Sequence, residues 1–130
     1  MVFATDVESA LSIVLVSLLL LAAPVQAGLA CRVIDGDSLA CGSERIRIMG
    51  LDAPELRGRC HAEVRLARAA QTRIQQLMAR GITIERRGRD RYRRTLAVVR
   101  IRGGQNVADI MIRERLARTY EGIGQRRGWC

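Results

Sequence analysis

The chain has 130 residues, which is room for one domain and excludes a multidomain enzyme within this length. Its formal charge of +9 points to polyanions such as nucleic acid or an anionic membrane surface, although all 22 basic residues are Arg, which is also a plain compositional bias. Aromatics make up 3% and there is one His, which excludes a wide base-stacking platform and a multi-histidine metal centre.

Residues 1–27 read as a signal peptide and 28–130 as the folded domain. Residues 11–23 are almost purely apolar, broken only by Ser12 and Ser17. That run is short of the roughly 20 residues a bilayer span needs. Val25-Gln26-Ala27 supplies small residues around a cleavage site. The stretch ahead of the run carries Asp6 and Glu8 and no base, which departs from the usual basic start and keeps an uncleaved anchor as the alternative. Losing these two acids and no base would raise the charge from +9 to +11. Export predicts a periplasmic or extracellular location and an oxidising environment.

Residues 29–34 read as a strand, Asp35-Gly36-Asp37 as a tight turn, and residues 38–41 as the partner strand. Cys31 and Cys41 stand symmetrically about Gly36. Four cysteines allow three pairings, and a hairpin here puts these two opposite each other, close enough for a bridge. That leaves Cys60 with Cys130. A zinc site is the weak rival, with no C-x-x-C and a single His61, which reads as a surface or capping residue.

Residues 45–49 alternate, with Ile46 and Ile48 on one side and Arg45 and Arg47 on the other. A loop follows from 52 to about 60. Residues 62–80 form a helix with Val64, Ala67, Ala70, Ile74, Leu77 and Met78 as its apolar stripe, stopped by Gly81. Residues 82–86 and 95–102 read as strands. Asn106 caps a last helix running through Ala117, with Val107, Ile110, Met111 and Leu116 inward. The expected class is mostly β with α. Five strands, with a helix between the third and fourth, fit a five-stranded OB-fold barrel carrying two helices.

The chemistry lies in three short segments. Asp35 and Asp37 flank a glycine, which alone is ordinary turn chemistry. With Asp52 just after the third strand, acids converge at one edge and call for a cation. Only oxygen ligands are on offer, so Ca²⁺ is favoured, with Mg²⁺ open. Arg47 and Asp52 fall on opposite faces by parity unless the chain bends at Gly50. Arg47 and Arg94 could each hold two phosphate oxygens through a planar fork. Pro54 stiffens the loop presenting Glu55, which can accept or orient a proton of water. Each of these residues also has a plainer reading, as a solvated turn, loop or strand residue.

Ile34-Asp35-Gly36-Asp37-Ser38, then Arg47 with Asp52-Ala53-Pro54-Glu55, then Asp90-Arg91-Tyr92-Arg93-Arg94, then Leu116-Ala117 occur in this order. The series resembles the staphylococcal nuclease-like (thermonuclease) family, whose pattern is I-D-G-D-T, R-x-x-x-x-D-T-P-E, D-x-Y-G-R and a late L-A. The resemblance spans roughly residues 30–120 and implies that family's barrel. It implies Ca²⁺ bound by Asp37, Asp52 and the main-chain carbonyl of Ala53, with Asp35 behind them. It implies Arg47 and Arg94 on the scissile phosphate, Glu55 as general base, and Arg91, Tyr92 and Tyr120 on substrate.

The implied substrates are DNA and RNA, single- or double-stranded, cut with little sequence preference. No protein partner is implied, and a membrane enters only through an uncleaved leader. Ala53 and Ser38 each stand where the family has Thr, and Arg93 where it has Gly. A positive φ at Arg93 would cost roughly 1–2 kcal/mol. The alternative is an OB-type nucleic-acid-binding module without activity, against which the full set Asp37, Arg47, Asp52, Glu55 and Arg94 argues.

Overall fold

The computed structural model describes residues 30–130. The expected leader and the start of the first strand at Leu29 lie outside them. Among the described residues no helix is long and apolar enough to cross a membrane.

The elements run β1 (Cys31–Asp35), β2 (Ser38–Cys41), β3 (Glu44–Ile48), β4 (Gly50–Asp52), α1 (His61–Met78), β5 (Ile82–Arg89), β6 (Thr95–Ile101), α2 (Val107–Arg113) and β7 (Arg118–Tyr120). Five strands form one sheet in the order β1-β2-β3-β6-β5, and β4 pairs with β7 in a separate two-stranded sheet. The large sheet is mixed: β3 and β6 are parallel and the other neighbours antiparallel. β1 and β5 are its terminal strands, and the ladder does not close between them. The mostly-β fold with two helices is as expected, and the hydrogen-bonded ladder of the five strands is open.

The first hairpin follows the sequence reading. Asp35 pairs with Ser38 across a two-residue turn, and Cys31 pairs with Cys41. The disulfides are Cys31–Cys41 and Cys60–Cys130, with Cα separations of 4.1 and 6.0 Å. The pairing skips a residue between Val33 and Asp35. The Ile34 carbonyl at that bulge accepts a 2.9 Å bond from Gln71 Nε2 of α1. Gly36 presses against the same helix: a Cβ there would stand 2.7 Å from the Ala53 Cβ and 2.8 Å from the Ala70 Cβ. The hairpin tip, the loop after β4 and α1 therefore meet at one point, where only glycine fits.

The predicted stripe of α1 is buried at Ala67, Ala70, Ile74 and Leu77. Leu39, Ile46, Ile48, Leu51, Val99 and Met111 complete the centre of the core, each essentially inaccessible. Full burial of one such aliphatic side chain is worth about 1.5–3 kcal/mol. Asn106 caps α2 as expected, its side chain accepting from the Ala108 amide at 2.9 Å.

Two expectations need correction. The last helix stops at Arg113 instead of Ala117, because Arg115 takes φ 60°. The Leu116 amide then bonds the Met111 carbonyl and the Arg115 amide the Ile112 carbonyl, a left-handed cap that usually carries glycine. The residues released continue into β7. The three-residue strands β4 and β7 lack the length to show a period of two, so the expected set of five strands omits them.

Glu44 fastens the sheet at its exposed side. It accepts from Arg86 at 2.6 and 2.8 Å and from the Thr95 hydroxyl at 2.8 Å. The Arg86 bonds, then the Thr95 bond, lower its carboxyl to about 2. A carboxyl whose pKa falls on folding stabilises the fold above its unfolded value near 4.5, and that contribution disappears as pH drops through 2. Glu44→Gln is accordingly expected to cost about 1 kcal/mol at pH 7, the upper end for a partly exposed bidentate pair. At pH 2 and below the two proteins converge. Urea unfolding at both pH values, with the disulfides intact, checks this.

Candidate active site

The site begins at the hairpin tip. Asp37 is 7% exposed, and its position is fixed from three sides. Its amide donates to Asp35 Oδ1 at 3.1 Å, its Oδ1 accepts from the Ser38 hydroxyl at 3.1 Å, and its Oδ2 accepts from the Ala53 amide at 3.0 Å. That last bond joins the first carboxylate pair to the Asp52-Ala53 peptide. Burial pushes the Asp37 carboxyl above the ordinary range; the Arg47 guanidinium opposes this and Asp35 adds to it. A positive partner offsets that cost, and Arg47 supplies one at 3.6 Å.

Gly50 supplies the bend that parity demanded, with φ 88°. The chain turns after β3 and brings the Leu51 carbonyl back over Arg47. Arg47 Nη1 donates to the Ile48 carbonyl at 2.6 Å and Nη2 to the Leu51 carbonyl at 2.8 Å. Nη2 also lies 3.6 Å from Asp37 Oδ2. Alternation along β3 puts Arg45 and Arg47 on the same side, yet Arg47 is buried and Arg45 exposed. The difference is the β3–β4 bend, which covers Arg47 alone. A guanidinium has five N–H donors, so those not spent on the two carbonyls remain for a ligand.

Asp52 is 5% exposed at the end of β4, opposite Arg118 of β7. Glu55 follows on the loop stiffened by Pro54, with 56% of its side chain exposed. Partial desolvation at the rim raises its carboxyl, Asp37 adds to the rise, and Arg126 pulls the other way. The structure brings Asp35, Asp37, Arg47 and Ala53 into direct contact, and Arg126 links Asp52 with Glu55 beside them. The carboxylate and carbonyl oxygens on offer here are hard ligands, which suit Ca²⁺ or Mg²⁺ and not a thiolate-loving metal.

The third segment stands apart. Asp90 organises the β5–β6 turn, accepting from the Tyr92 and Arg94 amides at 2.9 Å each. Arg93 takes φ 65°, the conformation feared for a residue in a glycine's place. Arg94 Nε donates to Asp90 Oδ2 at 2.8 Å, and the Tyr92 ring lies beneath both Arg91 and Arg94, at 4.9 and 5.7 Å. Among the described residues Arg94 forms no hydrogen bond or ion pair with the acidic cluster. Arg47 pairs with Leu96 in the parallel β3–β6 ladder, so continuing the alternation of β6 puts Arg94 on the Arg47 side of the sheet. Tyr120 pairs with Gly50 across the small sheet, and its hydroxyl donates to the Gly124 carbonyl at 3.4 Å.

Two residues at the site went unnoticed in the sequence. Glu63, buried near the start of α1, accepts from the Glu55 amide at 3.3 Å and the Arg59 amide at 2.8 Å. It holds the loop that carries Glu55 to the helix. An acid at the third helical position is the signal that could have found it. His61 is the first residue of α1, with Cys60 at the cap position making no side-chain cap bond, so His61 is exposed and not a cap. Arg126 is the second missed residue. Its Nη1 donates to Asp52 Oδ1 at 2.9 Å and lies 3.6 Å from Glu55 Oε1. Nothing in the sequence separates it from the other arginines.

The description "Staphylococcal nuclease homologue" belongs to the family whose model matches residues 45–128. That span includes Arg47, Asp52, Glu55, Arg94 and Arg126, while Asp35 and Asp37 precede it. The chain is also 32% identical over 99 residues to a protein of Haemophilus influenzae named as an uncharacterized endonuclease, covering 70% of this chain and 52% of that one. It therefore spans about half the length of the curated relative it matches. With the matched span running from β3 to the C-terminal segment, this chain belongs to the staphylococcal nuclease homologue family.

Proposed function

We propose that the protein is an exported, Ca²⁺-dependent endonuclease that hydrolyses DNA and RNA phosphodiesters with little sequence preference. The observation that carries this reading is the Asp37–Ala53 hydrogen bond, with Arg47 3.6 Å from Asp37 on one side and Asp52 and Glu55 sharing Arg126 on the other. The coarser statement, a nuclease, also has the support of the family and of a relative described as an endonuclease. The OB-type barrel and removal of the leader at Ala27 belong to the same reading.

The residues fit a hard cation through the Asp37 and Asp52 carboxylates and the Ala53 carbonyl, with Asp35 setting Asp37. When bound, the ion would supply Lewis-acid stabilisation of the phosphoryl oxygens. The remaining steps belong to the chain. Glu55 takes a proton from the attacking water, and its raised carboxyl brings its basicity nearer to neutral pH. Arg47, locked by two carbonyls, presents its remaining donors to the oxygens on which charge grows. Arg94 approaches the phosphate from the β5–β6 turn after exchanging part of its Asp90 pairing. Arg91, Tyr92 and Tyr120 line the path of the strand. Water adds to phosphorus, the bond to the 5′ oxygen breaks, and the products are a 3′-phosphate and a 5′-hydroxyl.

The second reading, an inactive nucleic-acid-binding module, draws on the commitment of Arg94 to Asp90 beside a strained Arg93. Digestion of plasmid, single-stranded DNA and RNA, with analysis of the new ends, separates the two. The enzyme yields 3′-phosphate ends and loses activity in Glu55→Ala and Arg94→Ala. Salt-sensitive binding with no cleavage in any divalent metal would mean a binding module.

A further inference from the structure

Residues 121–130 contain no helix or strand and are almost wholly exposed. They are nevertheless fastened at both ends. At the start lies β7, hydrogen-bonded to β4 so that Arg118 stands opposite Asp52. At the finish, Cys130 is joined to Cys60, at the head of α1. Between these points Arg118 Nη1 donates to the Gly128 carbonyl at 2.8 Å, and the Arg118 guanidinium stacks 3.7 Å above the Trp129 ring. The segment is a strap that reaches the acidic residues through Arg126.

One side chain of the strap enters that cluster. Arg126 stands four residues before Cys130 and bonds Asp52 at 2.9 Å. Half of the Arg126 side chain is exposed, against 8% for Asp52. The guanidinium responds to the whole group: Asp52 raises its pKa most through the hydrogen bond, and Glu55 and Asp37 add to this. Arg47 is different, being locked by two main-chain carbonyls and near Asp37. Arg126 has a single firm anchor, and that anchor is a carboxylate proposed to hold the metal.

We propose that Arg126 is a tethered competitor for the divalent cation, held against Asp52 by the disulfide-fastened strap and displaced when the cation binds. The proposal rests on the Ca²⁺ reading given above. Two cations on one carboxylate repel, so each lowers the occupancy of the other. Tethering converts the competition into an intramolecular one with a high effective concentration. The Cys60–Cys130 bond then sets how strongly the protein resists loading at low Ca²⁺, and reducing it would let the strap leave.

The test is calorimetric Ca²⁺ binding by the full, oxidised chain after chelation, with no nucleic acid present. Arg126→Gln is expected to bind Ca²⁺ about tenfold more tightly, because a half-exposed charge-assisted bond no longer opposes the ion. Arg126→Lys keeps the charge and is expected to stay within about threefold of wild type. The Cys60→Ser/Cys130→Ser protein should gain affinity as Arg126→Gln does, and combining the changes should add little. Circular dichroism establishes that the bridge-less protein is folded, and Arg126→Gln, at an exposed position, carries the test if it is not. Unchanged or weaker binding by Arg126→Gln, with wild type still binding, overturns the competition and leaves the Ca²⁺ reading standing. No binding by either protein overturns both.

Discussion

Arg47→Lys is expected to lower phosphodiester cleavage on the order of a thousandfold while leaving a folded protein, because preorganised donors aimed at a transition state contribute on that scale. The ammonium keeps a positive charge near Asp37, so the buried pair at 3.6 Å is not left with a lone carboxylate. It loses the planar fork. The Ile48 and Leu51 carbonyls, bonded at 2.6 and 2.8 Å, can no longer be satisfied while donors also face a phosphate. The loss should fall on kcat more than on KM, since the growing charge on the phosphoryl oxygens is present only in the transition state. Single-turnover cleavage of an oligonucleotide, together with circular dichroism, reads both parts. A rate within about fivefold of wild type would mean that Arg47 is a structural residue bracing the β3–β4 bend and does not act on phosphate, since removing one transition-state donor costs far more than that.

Gly36→Ala is expected to destabilise the fold by about 3 kcal/mol, the upper end for overpacking a tight contact. The added methyl would meet the Cβ atoms of Ala53 at 2.7 Å and Ala70 at 2.8 Å. Neither alanine has a rotamer to swing away, so the backbone must move. Any movement separates the hairpin from α1 and stretches the Asp37–Ala53 hydrogen bond of 3.0 Å. Stability and activity should therefore fall together, with a drop in Tm of roughly 10–20 °C for a domain of this size. Ala70→Gly in the same chain should recover part of the loss, less the roughly 1 kcal/mol a helical glycine costs. Thermal unfolding of the two proteins checks the pair. A Tm within a few degrees of wild type would contradict the close approach.

How much of this was legible in the sequence depended on local signals. The Asp-Gly-Asp turn fixed its hairpin, and the symmetry of Cys31 and Cys41 about Gly36 gave the first bridge and, with it, the second. The stripe on α1 and the Asn106 cap were local patterns and held. The Asp35–Asp37 and Asp37–Ala53 contacts join segments that the sequence places at the ends of adjacent short elements. The misses had physical causes. β4 and β7 are three residues each, too short for periodicity, and their pairing is a tertiary event. The end of α2 was hidden because Arg115 occupies a left-handed position that usually shows itself as glycine. The five-strand set and the two helices are legible from local patterns, and the hydrogen-bonded ladder they form is open at β1 and β5. Arg126 could not be picked out of an arginine-rich chain, since its role comes from the Cys60–Cys130 tether. Arg94 is no miss of this kind: the resemblance puts it on phosphate, and its hydrogen bond to Asp90 is the local contact the structure adds.

The most direct test of the central claim is the rate of oligonucleotide cleavage as Ca²⁺ is titrated into chelated, oxidised protein, for wild type and for Asp37→Asn. The expected result is no cleavage in chelator, a saturable rise with Ca²⁺, and a rise lost or shifted to far higher Ca²⁺ in Asp37→Asn. Cleavage at full rate in excess chelator, or an Asp37→Asn curve that overlays wild type, would contradict it.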